Sequence, residues 1–313
     1  MKLIQGLKGF YEMIFGIWNA LIDASITILT SSPKSVAGGQ LYSTASSLYN
    51  TLLAVTVPLA TVFFIIAIYK DVIGTPPEQQ PRRFFQDAVK YIIILYLSSK
   101  LWDILGYFVD FADGITSAIT ISPDSAHIKL ENTSINTLLD SITAPSSSFL
   151  DAIADVSVIG TVDFSPLQTY LNQLGPYLGY CGLLGAGGFV ILIVFVAAGI
   201  SILNAAYQRI IKPLLVIPFS TIVLGIGSCS GEGSRMMWHY GKSLIGLLLS
   251  GALMIVAIKL GNTMTSQMIS LTELSDGTLF GNALITLVEA PISALVTAGI
   301  CKSVDQIMGK IFG

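Results

Sequence analysis

Charge is what this sequence lacks most. Only 11% of its 313 residues are Asp, Glu, Lys or Arg, where a soluble domain carries about 25%. That excludes a disordered chain and argues against a soluble enzyme. Three cysteines, Cys181, Cys229 and Cys301, are too few and too scattered for a disulfide framework or a metal site. Two histidines, His127 and His239, lie far apart, and no HExxH, CxxC, Walker A or GxSxG motif occurs. No cofactor or catalytic set is therefore expected. The net charge of −3 gives no global basic field for nucleic acid.

Long apolar runs fill the space that charge leaves. Residues 35–69 and 164–208 carry no charge, and 213–231 and 243–258 are shorter clean runs. Residues 91–112 are apolar but hold Lys100, Asp103 and Asp110, and residues 279–301 are interrupted by Glu289. Each run approaches the ~20 residues that cross a bilayer. The expected fold is all-α: a polytopic membrane protein with five transmembrane helices, an N-terminal amphipathic helix and a re-entrant or interfacial segment.

Basic residues set the orientation. Lys70, Arg82, Arg83 and Lys90 follow the first span, Arg209 and Lys212 end the third, and Lys302 and Lys310 mark the tail. Residues 114–177 hold Lys129 alone against six acidic residues, and are Ser/Thr-rich. That loop is placed outside and the basic segments inside. If residues 213–231 spanned, Arg235, Lys242 and the tail would all fall outside. Pro213, Pro218, Gly225, Gly227 and Gly231 mark a broken segment instead, which at membrane depth must be buried in protein or line a cavity. The expected division is an outer N-terminal part (1–46), spans one and two (47–113, with inner loop 70–90), an outer loop (114–177), and spans three to five (178–313, with a broken inner segment 209–242 and tail 302–313). The N-terminus is then outside and the C-terminus cytoplasmic.

The N-terminal 30 residues read as neither a clean signal peptide nor a span, because Glu12 and Asp23 interrupt the run. Leu3, Leu7, Phe10, Ile14, Ile17, Leu21 and Ile28 form an apolar stripe, which suits a helix on the outer leaflet or one docked on a neighbour.

The second span carries the most informative pattern. Ser99, Asp103, Gly106, Asp110 and Asp113 fall on one helical face, and Leu97, Leu101, Leu105, Phe108 and Ala112 on the other. Lys100 sits at the edge, within reach of Asp103. A charge at the bilayer centre costs ~2.5–3.5 kcal/mol on insertion scales, so this face is expected to line a polar passage or interface. The competing reading is a span ending near Phe108, with Asp110 and Asp113 at the headgroups. Glu289 is either a kinked interfacial carboxylate beside Pro291 or an intramembrane partner for a group such as Lys100. Gly175, Gly179 and Gly182, and Gly246 with Ser250, are small-residue pairs expected to pack helices closely.

Residues 211–260 contain a more specific signal. Lys212-Pro213, then Pro218-Phe219-Ser220, a turn at Gly231, Ser234-Arg235, Lys242-Ser243 and Gly251-Ala252 follow in order. This run resembles the TrbL-like (VirB-type) polytopic inner-membrane subunits of conjugative type IV secretion systems, and CKSVDQIMGKIFG resembles their closing segment. The likeness in motif covers residues 205–313, while the first 200 residues match in layout only. The resemblance implies a non-enzymatic, homo-oligomeric platform in the bilayer of the cell (inner) membrane. It implies partners among the secretion subunits, namely cytoplasmic ATPases and extracytoplasmic conduit components, and relaxase-bound single-stranded DNA as cargo. Two other readings remain open: an ion-coupled secondary transporter, favoured by a broken helix and intramembrane carboxylates, and a structural membrane assembly protein with no transport path.

Overall fold

The computed structural model describes residues 2–121, 133–142, 165–227, 232–267 and 279–312. Its elements are helical throughout these residues: α1 (Lys2–Thr30), α2 (Gln40–Ile73), α3 (Gln80–Ile121), α4 (Thr133–Ser141), α5 (Ser165–Val216), α6 (Ser220–Gly227), α7 (Glu232–Gln267) and α8 (Leu279–Phe312). Helix is the state that apolar chain must take in lipid, because it satisfies every backbone group within the segment. Among the described residues, six helical segments are long and apolar enough to cross a membrane.

The helix boundaries differ from the expected divisions in several places. Leu3–Thr30 is one of the six segments that qualify as spans by length and composition alone, because Glu12 and Asp23 leave most of it apolar. The third span does not start near 178. α5 begins at Ser165 and runs 52 residues, about 78 Å at 1.5 Å per residue, carrying Pro176 inside it. Residues 302–312 are helical, since α8 continues to Phe312. Most of the acidic outer loop, including Lys129, Asp124 and Asp151, lies outside the described residues, as does Gly231.

The chain divides into two compact units. The first comprises Met1–Asp23, His127–Ser201 and Lys259–Gly299. In it α1 lies along α5. The Tyr11 hydroxyl donates to the Leu184 carbonyl at 2.6 Å, Phe10 meets Phe189 with ring centroids 5.0 Å apart, and Trp18 meets Phe195 at the same separation. Leu21 lies over Gly199. Numbers rise together along both helices, so they run parallel. The fit needs glycine: a Cβ at Gly188 would come within 2.7 Å of Phe10 Cε1. Between helices in lipid, such close fit and polar contact drive association rather than the hydrophobic effect. Beside this pair, Lys8 Nζ meets Asp140 Oδ1 of α4 at 2.5 Å. Gly187 receives Leu287 of α8, and Gly261 of α7 receives Thr297 of α8.

The apolar stripe of α1 exists, but rotated from its expected position. The buried positions are Tyr11, Ile14, Phe15, Trp18, Ile22, Ser25 and Leu29. Leu3 is exposed and Phe10 and Leu21 only partly covered. Tyr11 and Trp18 define the covered face because their size reaches across to α5 and their polar groups still find partners or edges.

The second unit comprises Ala24–Ala126, Ile202–Ile258 and Ile300–Gly313. α2 and α3 form an antiparallel hairpin across residues 74–79. Tyr42 and Tyr49 of α2 pack at a tilt against Trp102 of α3, with centroids 4.9 and 5.2 Å apart. Tyr49 donates to the Ser98 carbonyl, and further along Phe64 stacks on Tyr91 at 4.4 Å. Leu105, Val109 and Ala112 of α3 bury against Ile217 and against Leu244 and Leu248 of α7.

Helix α5 does not break at Pro213. That residue is buried inside the helix, and the turn comes later, at Ile217–Phe219. Pro218 supplies no N–H there, and the next two side chains fold back onto carbonyls of the turn itself. Ser220 Oγ donates to Ile217 O at 2.5 Å and Thr221 Oγ1 to Pro218 O at 3.0 Å. Tyr240 of α7 donates to Val216 O at 2.6 Å. α6 then runs only eight residues, about 12 Å, too short to cross a bilayer. It is buried on Ser220, Thr221, Val223, Leu224, Gly225 and Gly227, and Gly225 sits against Thr56 and Ala60 of α2.

Candidate functional site

The polar stripe of α3 separates into two halves with different surroundings. Its upper half, Gly106, Asp110 and Asp113, faces the segment that joins α1 to α2. Lys34 Nζ of that segment meets Asp110 Oδ1 at 2.7 Å. Lys34 Nζ and the Tyr42 hydroxyl pass over the helix at Gly106, each 3.6 Å from where a Cβ would stand, an ordinary van der Waals contact. Asp113 is hydrogen-bonded by the Ser32 side chain, and its Oδ2 is buried with no hydrogen-bond partner among the described residues.

Arg209 completes this cluster from α5. Its guanidinium donates through Nη1 to the Leu29 carbonyl and through Nη2 to Thr116 Oγ1, the latter at 3.2 Å. Asp113 is close enough to act on it electrostatically, though not in ion-pair contact. Arg209 was expected at the inner end of a span. It is instead 8% exposed, with α5 continuing past it. Leu29 O belongs to the last turn of α1, where carbonyls lack helical partners. A guanidinium with five donors is suited to collecting such groups. The cluster holds Arg209 and Lys34 against Asp110 and Asp113, so it is electrically balanced. It offers neither an anion site nor a nucleophile with a base. It fixes α1, the 31–39 segment, α3 and α5 in one register. Arg209 could have been noticed in the sequence, since apolar residues both precede and follow it.

The lower half of the stripe is turned outward. Ser99 is exposed and donates only to its own helix, at Tyr96 O. Lys100 and Asp103 lie 3.8 Å apart, with their side chains 57% and 62% exposed. The expected opposite face is the covered one at Leu105 and Ala112, whereas Phe108 is exposed.

Other expected residues fall apart from these. Glu289 is half-buried in α8 and makes no ion pair among the described residues; Lys100 pairs with Asp103. Lys212 is half-buried, Pro213 and Pro218 are buried, Phe219 and Arg235 are exposed, and Lys242 lies over the Trp238 ring at 5.6 Å. Gly246 packs on Phe312, 3.2 Å from its ring to where a Cβ would stand. Gly175, Gly179 and Gly182 do not pack helices within the described chain: a Cβ at each would meet nothing within 4 Å. The close approaches instead fall at Gly188, Gly199 and Gly251. No cluster of His, Cys, Asp and Glu fit to hold a metal occurs among the described residues.

The fold and its surface define the class: an all-helical, multi-pass membrane protein. Compared with known families, proteins and solved structures, the chain finds no match.

Proposed function

We propose that the chain is a non-enzymatic membrane subunit of a conjugative type IV secretion system. In this reading it sits in the inner membrane as an oligomer. It works with cytoplasmic ATPases and extracytoplasmic conduit components to pass relaxase-bound single-stranded DNA, or to assemble the conduit that does. The observation that carries the reading is the ordered likeness of residues 211–260 to the TrbL-like subunits. Three residues of that likeness have a physical task here. Pro218 ends α5, Ser220 and Thr221 satisfy the turn, and Gly251 admits Arg209.

The orientation proposed is the basic segments 70–90 and 302–313 inside and the acidic loop outside, with the C-terminus cytoplasmic; Arg209, bonded to Thr116 at the acidic-loop end of α3, is not among the inner basic residues. The Lys8–Asp140 pair supports an outer N-terminus, because it ties the start of α1 to α4 of the acidic loop. The six acidic residues of that loop would repel phosphates, so its role is contact with an extracytoplasmic protein.

Removing the chain from a donor cell should abolish conjugative transfer, and restoring it should recover transfer. Purification from membranes should bring down secretion ATPases and the relaxase. Normal transfer without the chain, or solute flux by the purified chain alone in liposomes, would overturn the reading; the flux would favour a transporter.

A further inference from the structure

Lys100 and Asp103 occupy an unusual place. The nearest charges along α3 are Lys90 and Asp110, and the stretch between them is about as long as a bilayer core is thick. Lys100 stands at its middle, about 15 Å from either end at 1.5 Å per residue. A lysine side chain reaches less than half that distance, so snorkelling does not bring it to the headgroups. Yet the pair is more exposed than covered, at 57% and 62%. Their separation of 3.8 Å lies beyond hydrogen-bond reach, so each keeps unused donors or acceptors.

The neighbours on the same face complete the pattern. Tyr96 is 68% exposed and Tyr107 73% exposed, one on each side of the charged pair. Ser99 joins them. A lipid-facing strip has no use for a lysine, an aspartate, a serine and two phenols together. Tyrosine is enriched at protein contacts, and charges at membrane depth face protein or water and pair with one another.

We propose that this strip of α3, from Tyr96 to Tyr107, docks against the same strip of a second copy of this chain. Copies inserted in one membrane share an orientation, so two α3 strips meet in parallel about a two-fold axis normal to the bilayer. The strip carries one charge of each sign, three residues apart. Lys100 of each copy then reaches Asp103 of the other, and the four charges balance. A contact of this kind is self-complementary by symmetry. The inference gives a location to the oligomer in the function proposed above, but it stands on membrane depth, exposure and charge alone.

The test is cross-linking in native membranes. Cys181, Cys229 and Cys301 are first replaced by serine, and Ser99→Cys is introduced. Mild oxidation should give a disulfide-linked product at twice the monomer mass. Ile65→Cys, on the exposed apolar face of α2, should give at least ten-fold less. Adding Lys100→Asp or Asp103→Lys singly to Ser99→Cys should lower the product at least ten-fold, and the two together should restore it. Membrane-inserted protein is quantified for every variant. Inserted Ser99→Cys that yields no dimer, equal dimer from Ile65→Cys, no recovery in the exchanged pair, or a product of another mass would each overturn the proposal. A failed secretion reading would show as unaltered transfer without the chain and would leave this cross-link in place.

Discussion

The guanidinium of Arg209 occupies the space that a side chain on Gly251 would need. α5 and α7 run antiparallel there, and the missing Cβ lets a large charged group lie between them. From that position the arginine reaches the end of α1 and Thr116 of α3. One absent methyl group is thus a condition for the polar cluster that ties four segments together.

Gly251→Ala should destabilise the protein by about 1–3 kcal/mol, the usual range for overpacking. Arg209→Ala should cost about 1.5–3 kcal/mol, the usual worth of hydrogen bonds from a charged group, because the Leu29 carbonyl and Thr116 lose the guanidinium. In the Arg209→Ala background the glycine substitution should cost little. Thermal unfolding in detergent measures all four chains of this cycle. Additive losses would mean that the two residues are not coupled.

Docking of α1 on α5 can be separated from a helix lying loose on a membrane surface. Trp18→Ala should lose about 3–5 kcal/mol, and Tyr11→Phe about 1 kcal/mol from the bond to Leu184 O. Gly188→Val should displace Phe10 and lower the melting temperature. Unchanged melting in all three would mean that α1 is not held by α5.

Topology is testable at exposed positions. In the cysteine-free chain, an impermeant thiol reagent applied to intact cells should modify Thr137→Cys on α4. It should spare Pro76→Cys, Trp238→Cys and Ile311→Cys until the membrane is opened. Modification of Trp238→Cys from outside would place the α6–α7 junction on the outer face and reverse the assignment of the basic segments.

The two faces of α3 should respond differently to charge. Leu105→Asp puts a carboxylate into the covered cluster of Val109, Leu244 and Leu248, at a cost of several kcal/mol, and should reduce inserted, folded protein. Asp103→Leu removes an expensive exposed charge and should insert at least as well as the parent. The measurement is membrane-inserted protein against total expression. Equal losses from both would mean that the faces are not distinct.

Much of the fold was legible because apolarity is a local property. Residues 52–69, 179–207 and 243–258 could only be helices in a bilayer, and the structure has them so. The break near Pro218 was legible as a break, since proline and a Gly-rich sequel are also local. Its place was not. Pro213 and Pro218 are the same residue type, but only at the second does a distant side chain, Tyr240, cap a carbonyl at the end of α5, that of Val216, while Ser220 and Thr221 bond within the turn.

The candidate site divides along the same line. By itself the sequence determined that α3 has one polar and one apolar face, because helical spacing alone sorts Ser99, Asp103, Asp110 and Asp113 from Leu101, Leu105 and Ala112. Tertiary structure alone decided that Asp110 and Asp113 serve the 31–39 segment while Lys100 and Asp103 remain open. It also decided that Arg209 is a buried tie bonded to Leu29 and Thr116. The reason is sequence distance: the partners of Arg209 stand at Leu29, Thr116 and Gly251, and no periodicity within one helix reports on residues that only folding brings together.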